Sequence, residues 1–370
     1  MSPRALRHQI GQLLVAGFDG AHVPVELRSL AREFSLAGLI LFKRNVEEPE
    51  QVAELSRSAS ELTPGLPPWV SVDQEGGRVA RLKRPFTEWP PALTLGRSAS
   101  PDLARRFARA LATELAAVGI TLDFAPVLDV LTNPANPVIG DRALAERTEL
   151  VSSLGVAIID ELQRAGIAAC GKHFPGLGEV ALDPHFDLPV VEHAPDRLRA
   201  VEFEPFKAAI AAGVASMMTA HVLLPALDEE VPATMSRRII APVLRDELGF
   251  DGVIFTDDME MKAVAARWPV PEACVRAVAA GCDAVLICSG DHDLQHAALE
   301  ALVHAVEEER LPFARVEDAL ARQRRMKERF LAGPALAGGV RPGRVSGKAL
   351  RAVLGSEAHR AVAAEMARYL

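Results

Sequence analysis

The sequence is poor in aromatic residues, and its basic residues are not concentrated in any segment. Aromatic residues make up 5% of the 370 positions, with one tyrosine and three tryptophans, and the formal net charge is -8. A surface that stacks nucleic-acid bases needs aromatic side chains, and one that binds phosphates needs clustered Lys and Arg. We therefore predict no nucleic-acid partner.

The chain also lacks a long hydrophobic segment. No run approaches the roughly eighteen apolar residues of a membrane span. In the N-terminal segment MSPRALRHQIGQLLVAGFDG, Gly11 and Gln12 interrupt the apolar run and Asp19 ends it. This segment has neither the long apolar stretch nor the cleavage site of a secretory signal. We predict no membrane contact and a cytoplasmic location.

Cysteine is scarce, and the motifs that bind common cofactors are absent. The four cysteines show no Cys-x-x-Cys spacing, so we expect buried thiols rather than disulfides or a zinc site. They are Cys170, Cys274, Cys282 and Cys288. The chain has no phosphate-binding glycine loop. His173, Asp183, His185 and His221 offer metal-ligand atoms, but their spacing is not compact and no HExxH occurs. We predict neither a metal nor a cofactor.

What the chain does have is a regular alternation of apolar runs and helical patterns. The predicted strands are residues 13–17, 38–42, 69–72, 121–126, 167–171, 215–219, 253–256 and 284–287. Most of these runs are continuously apolar, as expected for strands that are covered on both faces. The predicted helices are residues 49–61, 101–118, 147–164, 195–212, 236–248, 270–280, 292–308 and 316–331, with a short opening helix before them.

Eight strands with intervening helices predict an α/β protein with a single (β/α)8 TIM-type barrel and a C-terminal helical extension. A doubly wound sheet is the alternative, and the missing dinucleotide fingerprint disfavours it. We assign residues 1–335 to the barrel and residues 336–370 to a C-terminal strap and helix packed on it. Residues 333–346 are rich in Gly, Pro, Arg and Ala, and a final amphipathic helix is predicted at about 357–370.

Ionisable residues follow five consecutive predicted strands. They are Asp73 with Glu75, Arg78 and Arg81; Asp129, then Asp141 and Arg142; Lys172 and His173; His221; and Asp257 with Asp258. In a barrel these strand ends meet on one rim, where active sites lie. Carboxylates, arginines and a lysine on one rim suit a polyhydroxylated ligand, whose hydroxyl groups need charged hydrogen-bond partners.

The stretch CGKHFPGLGEVALDPHFDLP, residues 170–189, is the most distinctive part of the chain. It follows a predicted strand and then continues for about fifteen residues without a helical or alternating pattern, a length that usually marks a functional loop. Asp183, His185 and Asp187 lie in it, while Phe174 and Leu188 supply apolar anchors that a disordered segment would lack.

Five motifs together resemble glycoside hydrolase family 3. They are VDQEGGRVARL, FAPVLDV, KHFPGLGEVALDPHFDLP, MMTAHVLLPALD and GFDGVIFTDDMEM, within residues 8–290. The resemblance is strongest to the single-domain β-N-acetylglucosaminidase branch, the NagZ-like enzymes of peptidoglycan recycling. It implies a retaining mechanism with a covalent glycosyl-enzyme intermediate.

The resemblance also implies roles for individual residues. Asp257 matches the nucleophile, His185 the acid/base and Asp183 its dyad partner. The residues that match those holding the non-reducing N-acetylglucosamine are Asp73, Arg81, Arg142, Lys172 and His173, and we add His221 to the substrate-binding set from its position at a strand end. A histidine side chain, with a reference pKa of about 6.5, suits proton transfer near neutral pH.

The expected function is therefore exo-hydrolysis of terminal β-N-acetylglucosamine from peptidoglycan fragments (GlcNAc-1,6-anhydroMurNAc, with or without peptide), by a monomer acting on a small-molecule substrate. One alternative is a phosphorylase, because a histidine acid/base does not repel phosphate as a carboxylate would. Another is a glycosidase with different β-glycoside specificity. A non-catalytic sugar sensor is disfavoured, because Asp257 and His185 are both present.

Two positions depart from the family's usual pattern. Leu177 stands where the family has a second histidine in KHFPGHG, and Pro184 stands at the middle of the usual DSH. We expect Pro184 to stiffen the loop and Leu177 to affect substrate preference more than catalysis.

Overall fold

The eight predicted strands form a closed parallel barrel in a computed structural model, which describes residues 2–63, 65–332 and 347–370. The barrel strands are β1 (Leu14–Ala16), β2 (Gly38–Leu41), β3 (Trp69–Val72), β6 (Leu122–Asp123), β7 (Ala168–Phe174), β8 (Ser216–Thr219), β9 (Val253–Asp258) and β10 (Ala284–Ile287). Each strand pairs with its neighbours along the chain, and β1 pairs with β10 to close the barrel. The prediction of a (β/α)8 barrel is confirmed.

Strand β7 is longer at its C-terminal end than the sequence pattern indicated. It continues through Lys172 and His173 to Phe174, which pairs with Thr219 of β8 across an irregular register. Lys172 and His173 therefore lie on a strand, where flanking strands hold their backbone. The irregular loop begins only after them.

The connection that follows β3 contains a small hairpin that we did not predict. Strands β4 (Gln74–Gly76) and β5 (Val79–Ala80) pair antiparallel around the Gly76–Gly77 turn. Both glycines have positive φ angles, +105° and +54°, which non-glycine residues rarely adopt. The Gln74 side chain fastens the hairpin, since its amide oxygen accepts from the Arg81 and Leu82 backbone N–H groups at 2.8 and 3.0 Å.

Helices surround the barrel. They are α1 (Pro3–Gly11), α2 (Val25–Phe34), α3 (Pro49–Ser60), α4 (Leu93–Ser98), α5 (Pro101–Ala117), α6 (Thr148–Arg164), α7 (Pro195–Arg197), α8 (Glu204–Ala211), α9 (Arg237–Ile239), α10 (Lys262–Ala265), α11 (Val270–Ala280), α12 (His292–Glu307), α13 (Phe313–Leu331), α14 (Gly347–Val353) and α15 (Glu357–Met366). Wider, π-helical turns at Leu198–Glu202 and Ile240–Glu247 continue α7 and α9. Our prediction omitted α2, although its buried Leu27, Leu30, Ala31 and Phe34 have helical spacing.

The barrel interior is apolar and is closed at the N-terminal ends of its strands. Phe124 and Phe255 meet edge to face inside it, with ring centroids 5.5 Å apart. Met326 and Phe330 of α13 belong to the same buried cluster. The Trp69 indole N–H donates to Gln323, also on α13, at 3.3 Å. Helix α13 therefore covers this end of the barrel.

The C-terminal helices lie against the outer helices of the barrel. Glu365 of α15 accepts two hydrogen bonds from Arg106 of α5, at 2.7 and 2.8 Å. His359 of α15 lies 2.8 Å from the buried carboxylate of Glu114, which belongs to α5. The predicted strap at residues 333–346 lies outside the described residues, so the division of the chain at 335/336 stays a prediction.

Within the described ranges, no helix combines the length and apolar character needed to cross a membrane.

Candidate active site

A pocket of about 760 Å³, including its open mouth, lies at the C-terminal ends of the barrel strands. The ionisable residues that line it are Asp73, Arg81, Arg142, Lys172, His173, His185, Asp257 and Asp258. The rest of its wall is mainly apolar, as is usual for a site in which a few polar groups orient the ligand. Residues at the C-terminal ends of β3, β7 and β9 thus line one pocket.

The floor of this pocket is a buried network of alternating charges. The Lys172 ammonium donates to Asp73 at 2.7 Å and lies 2.6 Å from Glu75. The Arg142 guanidinium donates two hydrogen bonds to Glu75, at 2.9 and 2.8 Å. Arg81 donates to the other oxygen of Asp73 at 3.3 Å. Each charge has an opposite neighbour, which is the condition for keeping ionised groups out of water.

The network holds each of its members in the charged form. Burial opposes ionisation of Glu75, but Arg142 and Lys172 outweigh it and hold the pKa of this carboxyl well below its usual range. The pKa of Asp73 is lowered in the same way, against burial, by Lys172 and Arg81. For Lys172, burial is outweighed by Asp73 and Glu75, which raise its pKa. The floor therefore presents fixed charges and hydrogen-bonding groups over a wide pH range.

His173 is oriented by a carboxylate behind it. Its Nδ1 lies 2.7 Å from Asp129 Oδ2. Because a carboxylate at this position accepts, Nδ1 carries the proton and Nε2 is left as an acceptor. Arg142 Nη2 lies 3.4 Å from Nε2 and can donate to it. Asp129 is fully buried and also accepts the Leu177 backbone N–H at 2.7 Å.

His185 and Asp183 form a hydrogen-bonded pair at the mouth of the pocket. His185 Nδ1 lies 2.7 Å from Asp183 Oδ1, which also accepts the His185 backbone N–H at 2.9 Å. The carboxylate must accept from Nδ1–H, so the Nε2 atom of His185 is free to exchange a proton with a ligand. The side chain is 61% exposed.

Two neighbouring carboxylates end strand β9, and their surroundings differ. Asp257 lines the pocket, and its Oδ1 accepts the Asp258 backbone N–H at 2.8 Å. Asp258 accepts backbone N–H groups of Glu260 and Cys288, both at 3.2 Å. Burial and the nearby charge of Glu260 raise the pKa of Asp258 to about 7. Two adjacent carboxylates with different environments are suited to different roles.

His221, which we assigned to substrate binding, does not line the pocket, so that geometric expectation is wrong. Its ring is fully buried and is not part of the pocket wall. Nε2 lies 2.9 Å from the Asp258 carbonyl oxygen, which can only accept, so Nε2 carries the proton. Nδ1 lies 2.9 Å from the Thr234 hydroxyl oxygen, and burial lowers the pKa of this histidine, which favours the neutral ring. His221 therefore supports the backbone beside Asp257.

Glu75 and Asp129 are site residues that we did not assign from the sequence, although both follow predicted strands. Glu75 joins the two buried cations, and Asp129 orients His173. Their proximity to Lys172 and His173 could not be seen from spacing, because more than forty residues separate each pair. The sequence did contain an indication for Glu75. A carboxylate between the end of a strand and the Gly76–Gly77 turn has to point either into the mouth of the barrel or into solvent.

The two departures from the family pattern both lie at the pocket. Leu177 is buried and lines the wall, so an apolar side chain stands where the family has a histidine. Pro184 also lines the pocket, and its carbonyl oxygen accepts the Ala263 backbone N–H at 3.0 Å.

We predict that Glu75→Gln destabilises the fold by about 3 kcal/mol, because it leaves the buried Arg142 without its carboxylate partner and Lys172 with Asp73 alone. Urea-induced unfolding at pH 7 measures the loss. Glu54→Gln is the matched control, since it removes an ion pair with Arg57 that is exposed on α3, and it should leave the unfolding midpoint unchanged.

The stability of Glu75→Gln should also fall less at acid pH than that of the wild type. Glu75 has a folded-state pKa below its unfolded value, so its contribution to stability is complete above the unfolded pKa and is lost as pH falls through the folded pKa. The wild type should therefore lose stability below a pH of about 4.3 more steeply than Glu75→Gln. Parallel slopes for the two proteins would show that Glu75 does not hold this network together.

The family model for the glycosyl hydrolase family 3 N-terminal domain matches residues 5–326. A beta-hexosaminidase of Stenotrophomonas maltophilia (strain K279a) is 39% identical over 282 residues, which cover 75% of this chain and 83% of that protein. A beta-hexosaminidase of Thiobacillus denitrificans (strain ATCC 25259 / T1) is 42% identical over 260 residues, which cover 69% of this chain and 72% of that protein.

Solved structures agree with this relationship. A glycoside hydrolase family 3 beta-N-acetylglucosaminidase from Paenibacillus sp. str. FPU-7 superposes with a TM-score of 0.90 at 39% identity, over 98% of this chain and 68% of that one. NagZ from Neisseria gonorrhoeae, in complex with N-trifluoroacetyl-D-glucosamine, gives a TM-score of 0.78 at 31% identity, over 97% of both chains. From its barrel, its strand-end pocket and these matches, the chain belongs to glycosyl hydrolase family 3 and is a glycoside hydrolase of the beta-hexosaminidase type.

Proposed function

We propose that the protein is a retaining exo-β-N-acetylglucosaminidase that releases terminal N-acetylglucosamine from peptidoglycan fragments. The observation that carries this proposal is the hydrogen-bonded pair of His185 and Asp183, whose histidine lines the same pocket as Asp257. A retaining glycosidase needs a carboxylate nucleophile and a separate acid/base on one bound sugar. These residues supply both functions.

In the first step, the Asp257 carboxylate attacks the anomeric carbon while the protonated His185 donates its Nε2 proton to the glycosidic oxygen. The bond from the anomeric carbon to that oxygen breaks, and the leaving sugar departs as an alcohol. Asp183, which accepts the Nδ1–H, stabilises the imidazolium before the transfer and keeps the ring in the required tautomer afterwards.

In the second step, water replaces the leaving sugar. The neutral His185 Nε2 accepts a proton from water as the water oxygen attacks the anomeric carbon, and the ester bond to Asp257 breaks. The sugar is released with its original anomeric configuration, and His185 is protonated again for the next cycle.

The pocket floor is proposed to bind the terminal sugar. Asp73, Arg142, Lys172 and His173 line it together, and Arg81 lines the adjoining wall. Their opposite charges provide both donors and acceptors, which matches the hydroxyl and amide groups of N-acetylglucosamine. NagZ of Neisseria gonorrhoeae has been solved with an N-acylated glucosamine, which supports this choice of sugar.

For peptidoglycan fragments as the source of that sugar, the support is the overall likeness to NagZ along nearly the whole chain. A cytoplasmic site of action is part of the proposal, and the four buried cysteines that remain free thiols are in keeping with a reducing compartment. Fractionation of the source cells tests the location.

A panel of substrates tests the function. The nitrophenyl β-glycosides of N-acetylglucosamine, glucose and xylose should differ in kcat/KM by about 10²-fold or more in favour of N-acetylglucosamine, because the alternatives leave polar groups of the pocket unpaired. Comparable rates for the three substrates would contradict the assigned sugar. NMR spectra of the first product should show the β-anomer.

A separate assay of the sugar product distinguishes hydrolysis from phosphorolysis. A histidine in place of a carboxylate acid/base does not repel phosphate, so a phosphorylase is the second candidate. Incubation with a disaccharide and inorganic phosphate should yield free N-acetylglucosamine. Accumulation of the sugar 1-phosphate would replace the hydrolase with a phosphorylase.

A further inference from the structure

The loop that carries His185 is fastened to the chain segment that carries Asp257. We call residues 183–187 the dyad loop and residues 257–267 the nucleophile segment. The Pro184 carbonyl oxygen accepts the Ala263 N–H at 3.0 Å. Asp187 accepts a hydrogen bond from Arg267 at 2.8 Å.

A third contact lies between these two. The Lys262 ammonium is 6.0 Å from the centroid of the Phe186 ring, close enough for a cation–π attraction. Contacts from the dyad loop therefore reach the first two residues of α10 and Arg267, which lies just beyond the helix.

These contacts matter because the dyad has few others. Among the described residues, the His185 imidazole has one hydrogen-bond partner, Asp183, which belongs to the same loop. The internal geometry of the pair is therefore set locally, but its position over the pocket depends on where the loop rests. The nucleophile segment provides that resting place, so it couples the position of the acid/base to the strand end that holds Asp257.

We propose that Asp187 and Arg267 are positioning residues that hold His185 at the glycosidic oxygen. The proposal rests on the function proposed above, because it gives His185 the task of proton transfer. Neither residue lines the pocket. Their effect reaches the reaction through the placement of the dyad loop.

The strength of this ion pair sets the expected effect. Both side chains are partly exposed, 40% for Arg267 and 59% for Asp187. An exposed pair of this kind contributes little free energy, and its loss corresponds to about a two- to five-fold change in an equilibrium. The Pro184–Ala263 hydrogen bond remains when the pair is removed, so the loop is displaced for part of the time and not released.

The test compares a poor and a good leaving group at low ionic strength. Arg267→Ala and Asp187→Ala should each lower kcat/KM for chitobiose about two- to five-fold and leave kcat/KM for the nitrophenyl glycoside unchanged. Chitobiose needs a proton on its leaving oxygen, whereas nitrophenolate does not. A purely structural defect would slow both substrates equally, and that result would overturn the proposal.

Salt and charge reversal provide two further readouts. Chitobiose is uncharged, so added salt acts on the ion pair and not on the substrate; 0.5 M salt should lower wild-type kcat/KM for chitobiose towards that of Arg267→Ala. The double variant Asp187→Arg, Arg267→Asp should recover activity that the single reversals lose. A double variant no better than either single one would contradict the pairing.

Arg276→Ala is the matched control, because it removes a comparably exposed ion pair with Glu272 on the nearby helix α11. It should leave both substrates unaffected. His185→Ala distinguishes a failure of the proposed function from a failure of the positioning role. If His185→Ala lowers kcat/KM equally for chitobiose and the nitrophenyl glycoside, the proposed function fails. If His185→Ala slows chitobiose more but Arg267→Ala does not, only the positioning role fails.

Discussion

Replacement of Asp257 with alanine is expected to lower turnover of every β-glycoside substrate by on the order of 10⁴-fold or more. Without a carboxylate at this position no covalent intermediate forms, and loss of a nucleophile has effects of this size in other enzymes. The fold should persist, because among the described residues the Asp257 side chain makes one hydrogen bond, to the neighbouring backbone, and it lines an open pocket. Steady-state kinetics measure the loss, and thermal unfolding checks the fold.

Two experiments identify the nucleophile independently of the rate. A 2-fluoro or 5-fluoro glycoside with a good leaving group should label the wild type at Asp257, as detected by peptide mass spectrometry. Azide added to Asp257→Ala should restore glycoside cleavage and give the α-glycosyl azide, since a small anion fits the space of the missing carboxylate. Labelling of Asp258 or Glu260 would assign the nucleophile to a different carboxylate of this chain segment.

Replacement of His185 with alanine should lower kcat/KM for chitobiose by about 10²–10⁴-fold, the usual value of general acid–base catalysis. The nitrophenyl substrate should lose far less in kcat/KM, because nitrophenolate leaves without a proton and kcat/KM reports the first chemical step. His185 is largely exposed and packs against little, so its removal should not disturb the pocket. Equal losses for both substrates would indicate a binding or packing role.

Asp183→Asn refines this test. The amide keeps the size of the carboxylate but cannot stabilise an imidazolium, so hydrolysis of chitobiose should fall while the loop stays in place. Wild-type rates in Asp183→Asn would mean that the 2.7 Å hydrogen bond to His185 has no catalytic effect. His185 would then transfer the proton without help from Asp183.

The sequence by itself determined the barrel and the rim on which the site lies. Continuous apolar runs such as those at 38–41 and 284–287 are buried on both faces, as expected for a parallel sheet covered by helices, and eight such runs favoured a barrel over a doubly wound sheet. Ionisable residues directly after such runs had to reach the strand ends, because burial of a lone charge inside the apolar barrel is too costly. Asp73, Lys172 and Asp257 were placed correctly for that reason.

Only the tertiary structure decided which of these side chains face the pocket and which lie behind it. His221 and His173 both follow apolar strand residues, yet one ring turns inward to Thr234 and the Asp258 carbonyl while the other lines the pocket. Successive side chains on a strand point to opposite faces, so a local pattern cannot assign the face without the register.

The charge network could not be predicted from the sequence for a related reason. Lys172 is buried in the interior of the protein because Asp73 and Glu75, almost a hundred residues earlier, meet it there. The β4–β5 hairpin carries Glu75, and this carboxylate can reach Lys172 only when the barrel brings β3 and β7 to the same rim. A buried charge is tolerated when its partner is in place, and closure of the barrel is what brings these partners together.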